Sequence, residues 1–190
     1  MKFKSIFVAA IAALFIVSCT ETDDQDVNVW DKYADWREEN TTWIEQQEAL
    51  LDEASNPVYT KVVPEWNRNG YVLMRWFNDR ALTENNLVPL YTSTVDVKYY
   101  GRLYTDEPFD SSYTSISPAD SVSRFQISKT IQGWAIALEQ MHVGDSVEVI
   151  IPYQLAYGAA APSDKILPYS ALKFNIKLTN IAGEYIRPLN

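Results

Sequence analysis

The chain has 190 residues, 47% of them hydrophobic, with 16 basic and 25 acidic side chains and a net charge of −9. That acidity excludes nucleic acid as a partner, because phosphate recognition needs a basic face. The single Cys and single His exclude a His- or Cys-rich zinc site and an internal disulfide. His142, in Met-His-Val-Gly-Asp, reads as an exposed turn residue.

The first residues form a removable address. Lys2 and Lys4 precede Ile6 to Val17, an unbroken run of 12 apolar residues, too short to span a bilayer as a helix. The run ends in Ile16-Val17-Ser18-Cys19, which resembles the lipobox of bacterial lipoproteins. The resemblance implies a signal peptide over 1–18 and diacylation of Cys19, hence membrane attachment without a spanning segment. Residues 19–28 then read as an acidic, solvated tether. Acidic residues just after such a Cys also resemble a signal for export to the cell surface. The expected location is the bacterial cell envelope, lipid-anchored to the outer membrane on its periplasmic or outer face.

Without Lys2 and Lys4, 14 basic residues face 25 acidic ones. Residues 21–53 hold 12 acids and two bases, whereas residues 54–190 hold 13 and 12. The acidity therefore belongs to the N-terminal part. Residues 29–56 read as a helical segment. Tyr33, Trp36, Asn40, Trp43, Gln47 and Leu50 alternate spacings of three and four, placing them on one face. Thr42 to Glu45 has the form of a capping box, which predicts a break near Asn40. The Trp-bearing face is expected to pack on its own domain, with a partner surface as the alternative.

From Pro57 the pattern changes to strands: Val58–Val63, Tyr71–Phe77, Val95–Leu103, Phe125–Ile127, Ser146–Ile151 and Ala171–Ile181. In the last of these, Leu172, Phe174, Ile176 and Leu178 alternate with Lys173, Asn175, Lys177 and Thr179. Only Trp134–Met141 reads as a helix between the strands, with Gly144 just past its end. Residues 57–190, about 135 in all, suffice for one hydrophobic core, and the element order gives an α+β domain.

Several short motifs then fall in register. They are Val97-Lys98-Tyr99-Tyr100-Gly101-Arg102-Leu103, Phe109-Asp110-Ser111-Ser112, Ile131-Gln132-Gly133-Trp134, Met141-His142-Val143-Gly144-Asp145, Ile151-Pro152, Leu155-Ala156-Tyr157-Gly158 and Leu167-Pro168-Tyr169-Ser170-Ala171-Leu172-Lys173-Phe174. Over about residues 92–182 they resemble the FKBP-type peptidyl-prolyl cis-trans isomerases. The resemblance implies a twisted antiparallel sheet of about five to six strands wrapped around one short helix. It also implies these roles. Trp134 is the floor beneath a proline ring, and Tyr99, Phe109 and Phe174 are its walls. The Ile131 N–H and the Tyr157 hydroxyl bond substrate carbonyls. Asp110 is a buried acceptor that orders the pocket. Thr130 and Ile166 contact substrate at the pocket edge and rim. The implied ligands are proline-containing polypeptides and a macrolide, with no cofactor.

The chemistry of the residues agrees. Rotation about a peptide bond meets a barrier of about 18–20 kcal/mol that arises from amide resonance. Removing water from the carbonyl weakens that resonance, and a positioned dipole favours the twisted amide. Neither nucleophile nor metal is required. The chain departs from the family pattern at Ser123, where an aromatic is usual, at Thr130, where Val is usual, and at Lys165 and Leu167 in the rim loop. The stretch between Ser112 and Phe125 is about four residues longer than usual. These departures imply a more open and more polar wall. A binding module with the same fold and little isomerase activity, or a structural lipoprotein, are the competing readings.

Overall fold

The computed structural model describes residues 28–113 and 121–183. The expected signal, Cys19 and the tether to Val27 lie outside the described residues, as does most of the lengthened stretch before Ser123. Helices α1 (Val29–Lys32) and α2 (Ala34–Glu48) come first. Strands β1 (Thr60–Val62), β2 (Val72–Trp76), β3 (Thr94–Leu103), β4 (Pro108–Ser111), β5 (Ser123–Gln126), β6 (Ser146–Ile151) and β7 (Leu172–Ala182) follow, with α3 (Gln132–Leu138) between β5 and β6. The strands form one antiparallel sheet in the order β1-β2-β6-β7-β3-β4, and β5 also pairs with β3. This is the expected α+β architecture with one strand more than foreseen. Strand β4 contains the Phe109-Asp110 pair that the sequence marked only as a motif.

Strands β4 and β5 share one edge of β3. Tyr100 to Arg102 pair with β4, and Thr94 to Val97 pair with β5. Between them Ser112 closes the gap: its hydroxyl accepts from the Tyr99 N–H at 2.9 Å and its own N–H donates to Tyr99 O at 3.1 Å. The buried backbone at Tyr99 is thereby satisfied where the ladder is interrupted.

One face of the sheet wraps α3. Val72, Met74, Val97, Val147, Val149, Ile151, Phe174 and Ile176 bury against Trp134, Ile136, Ala137 and Leu138. Gly133 permits this approach, since a Cβ there would lie 2.8 Å from Ile151 Cγ1. The other face of β2 and β6 turns Leu73 and Ile150 toward Ile44, Tyr59 and Ala171. Because both faces are covered, these strands read as apolar runs rather than as alternating ones.

Helix α2 runs through Asn40 without the expected break. The interruption falls at Tyr33, between α1 and α2. Asn40 is buried inside the helix because its side chain has two backbone partners, donating to Trp36 O at 2.7 Å and accepting from Ala171 N at 2.7 Å. The expected helical face is the one that docks, with two changes. Ile44 joins it at 5% exposure, and Leu50, beyond the helix, is exposed. Trp36 donates from Nε1 to Ser170 Oγ at 3.1 Å, and Trp30 meets Tyr169 edge-on at 5.3 Å.

His142 is half-buried rather than an exposed turn residue. Its Nδ1 lies 3.2 Å from Arg80 Nη2. Arg80 and His142 surround Asp145, which is fully buried and accepts from Thr83 Oγ1, Asn78 Nδ2 and the His142 N–H. This cluster ties residues 78–83 to the turn between α3 and β6.

Candidate functional site

Trp134 is the third residue of α3, a helix buried from Gly133 to Leu138, and it follows the Gly133 that lets the helix approach β6. Three aromatic rings stand on edge around it. Tyr99, Phe125 and Phe174 have centroids 5.2, 5.5 and 5.3 Å from the Trp134 ring, with interplanar angles of 82°, 78° and 86°. Perpendicular packing sets ring edges against the negative indole face, a favourable quadrupole arrangement. Phe109 extends the wall, edge-on to Phe174 at 5.4 Å. Gly101 on β3 makes room for both, since a Cβ there would sit 2.7 Å from Phe174 Cε1 and 2.8 Å from Phe109 Cε2.

Together these residues enclose a cavity of about 230 Å³, lined by Tyr99, Phe109, Asp110, Phe125, Lys129, Thr130, Ile131, Trp134, Tyr157 and Phe174. The structure therefore brings Tyr99, Phe109, Asp110, Thr130, Ile131, Trp134, Tyr157 and Phe174 to one place from β3, β4, the turn before α3, α3, β7 and the loop after β6. It does not bring Ile166, which is 4% exposed in the main core and does not line the cavity. Phe125 and Lys129 were not singled out in the sequence. Phe125 was readable: it lies in register with Val95 across the ladder, on the strand that flanks Tyr99. Lys129 carried no pattern signal, because its position depends on the short turn that joins β5 to α3.

Asp110 is exposed rather than buried, yet it is held in place. Its carboxylate accepts from the Tyr99 hydroxyl at 2.8 Å and from the Ser111 N–H at 2.8 Å. A strand-edge position explains the exposure: β4 pairs only with β3. Burial, reinforced by the bond to Asp110, pushes the Tyr99 hydroxyl well above the usual tyrosine range. Burial and then the Asp110 charge push Tyr157 up as well. Both hydroxyls thus stay protonated at neutral pH and remain hydrogen-bond donors.

The departures from the family pattern have definite places. Ser123 pairs with Val97 and does not line the cavity, so the wall there ends with Phe125. Thr130 turns its hydroxyl to Ile127 O at 2.7 Å. Lys165 donates to Pro108 O at 3.0 Å, linking the loop before β7 to the start of β4.

Residues 89–179 match the sequence profile of the FKBP-type peptidyl-prolyl cis-trans isomerase family. Among curated proteins, the chain is 38% identical over 93 residues to the macrophage infectivity potentiator of Trypanosoma cruzi, covering 49% of this chain and 45% of that protein. It is 38% identical over 94 residues to the FKBP-type 22 kDa peptidyl-prolyl cis-trans isomerase of Escherichia coli, covering 50% and 44%. The chain thus spans less than half the length of these relatives. Among solved structures, a peptidyl-prolyl cis-trans isomerase of Pseudomonas syringae superposes with a TM-score of 0.63 at 23% identity, covering 80% of this chain and 96% of that one. FkpA of Escherichia coli superposes with a TM-score of 0.60 at 24% identity, covering 79% and 62%. These two likenesses share the fold. The profile match and the curated relatives place the domain over residues 89–179 in the FKBP-type peptidyl-prolyl cis-trans isomerase family.

Proposed function

We propose that the chain is a peptidyl-prolyl cis-trans isomerase of the cell envelope that acts on proline-containing polypeptides through the aromatic cavity. The observation that carries this reading is the box of Tyr99, Phe125 and Phe174 edges around Trp134, open at a mouth where Tyr157 and Asp110 stand. A proline ring resting on Trp134 leaves its amide between those walls and away from water. Loss of carbonyl hydration weakens amide resonance, and the protein supplies fixed dipoles in its place. In this reading Trp134 is the floor, and Tyr99, Phe109 and Phe174 are the walls. The Ile131 N–H and the Tyr157 hydroxyl each bond a substrate carbonyl. Asp110, fixed by Tyr99 and Ser111, favours the twisted amide. Thr130 borders the substrate chain, and a macrolide would compete for the same box.

The envelope location rests on the lipobox-like residues ending at Cys19, which would carry the lipid anchor, and on residues 20–28 as the tether. Names among the relatives are consistent with it, since one is the outer membrane protein MIP of Legionella longbeachae. Domain limits follow: signal 1–18, tether 19–28, helical segment 29–56 and FKBP-like domain 57–190. A proline-limited refolding assay with the protein, using rapamycin as competitor, tests the reading. Catalysis that rapamycin blocks is expected. No acceleration, with polypeptide binding retained, would instead support a binding module. The exposed Lys129 in the cavity lining favours that second reading.

A further inference from the structure

A second cavity, of about 390 Å³, adjoins the first and is lined by Trp66, Tyr91, Thr130, Gln132, Ala135 and Glu139. Thr130 borders both cavities. Gln132, Ala135 and Glu139 follow spacings of three and four, so they share one flank of α3 while Trp134 faces the other way. Trp66 lies outside the residues that match the family profile, and the other five lining residues lie inside it.

Three observations mark it as a built site. Trp66 and Tyr91 are 62% and 54% exposed, a costly display for two large rings placed at one cavity. The segment leading to Tyr91 is pinned. Asn86 Nδ2 donates to Val143 O at 2.7 Å, Val143 N–H donates to Leu87 O at 2.9 Å, and Leu90 N–H donates to Ser93 Oγ at 2.9 Å. The one charged lining residue is Glu139, whose carboxyl is raised by burial against an opposing bond from the Tyr91 backbone. Two aromatic walls and a half-buried carboxylate suit a long apolar stem with a cationic head, which aromatic faces and carboxylates both attract.

We propose that the cavity between Trp66 and Tyr91 is a subsite for a lysine or arginine side chain of the same polypeptide whose prolyl bond occupies the neighbouring aromatic cavity. The proposal rests on the polypeptide-binding reading above. Continuity through Thr130 supports a single occupant, since an extended chain advances about 3.3 Å per residue and needs only a few residues to pass from one cavity to the next. Its contribution is sequence preference, with the prolyl pocket supplying the chemistry.

The test uses labelled Ala-based peptides with one proline, carrying Lys, Leu, Glu or Ala at each of three positions on either side of it. Dissociation constants and kcat/KM for isomerisation are measured for each. Lys at one position is expected to tighten binding and raise kcat/KM about three- to tenfold over Ala, the range of one exposed cation–π contact with an ion pair. Trp66→Ala and Glu139→Gln should each remove that gain and leave the all-Ala peptide unchanged. No Lys preference at any position, a gain that survives both substitutions, or an equal gain with Leu overturns the subsite. Failure to isomerise any peptide defeats the isomerase reading alone, because the binding series still decides the subsite.

Discussion

The two faces of the β2–β6–β7 half of the sheet are built from alternate residues of the same strands and do different things. The face toward α3 is apolar, and its aromatic end is the cavity: Val149 and Ile151 continue into Phe174 and Trp134. The face toward α2 mixes a small apolar cluster with polar ties. Glu148 there is 5% exposed and accepts from Tyr59 at 2.7 Å, Arg75 at 2.9 Å and Arg102 at 3.4 Å. The first face holds the cavity, and the second packs against α2. Each should therefore break with a different signature: pocket-face changes should alter stability and turnover together, and back-face changes should alter stability alone.

The largest effect is expected at the pocket floor. Trp134→Ala removes the ring that Tyr99, Phe125 and Phe174 all touch, and should cost about 3–5 kcal/mol in unfolding free energy and nearly all turnover. Trp134→Leu, which keeps an apolar filling, should recover part of the stability and little of the rate. On the other face, Ile44→Ala should cost about 2–4 kcal/mol. Its kcat/KM on a prolyl peptide, measured well below the lowered melting temperature, should match the parent. A matching fall in kcat/KM would show that α2 shapes the pocket through Tyr169 and the loop that carries Tyr157.

Asp145 gives the comparison a pH axis. Its burial alone would raise its carboxyl, but bonds from Thr83, the His142 N–H and Asn78, with the Arg80 charge, outweigh that and hold it below the ordinary carboxylate value. The unfolded chain therefore binds more protons than the folded one as pH falls past about 4. The stability Asp145 supplies is complete above that value and is lost as pH falls through the folded one. Asp145→Asn should cost about 1.5–3 kcal/mol at neutral pH, in the range of hydrogen bonds to a charged group, and should flatten the acid limb of urea-unfolding midpoints. Asn40→Ala, on the back face, should cost about 1–2 kcal/mol by stranding the buried Ala171 N–H, with no change in that acid limb.

Asn40 also shows where sequence reading reaches its limit. The three-four spacing of Trp36, Asn40 and Trp43 correctly marked a docking face, because periodicity reports which side is buried. The spacing was silent on why an Asn sits there, since its partner Ala171 is 131 positions away. The inferred break near Asn40 failed for the same reason: tertiary bonds overrode a local capping signal. In the cavity, Trp134, Tyr99 and Phe174 were legible because strand alternation and motif order both pointed to them. Ile166 is buried and does not line the cavity, because loop register decides which way an apolar residue turns. Trp66 and Tyr91 escaped notice because exposure of aromatics in irregular segments leaves no periodic trace.

The smallest change in stability should come from Tyr157→Phe. The ring is 39% exposed in a loop, and the substitution keeps its shape while removing one hydroxyl. Unfolding free energy should move by less than about 0.5 kcal/mol, the usual range for surface positions. Turnover should not be spared. A hydroxyl held protonated by burial and by the Asp110 charge donates to a substrate carbonyl in the proposed geometry. Losing one such bond, worth about 0.5–1.5 kcal/mol net, lowers kcat/KM about two- to twelvefold. An unchanged kcat/KM in Tyr157→Phe would leave Tyr157 as a wall without a polar role. It would place the donor function on the Ile131 N–H alone, at the N-cap of α3.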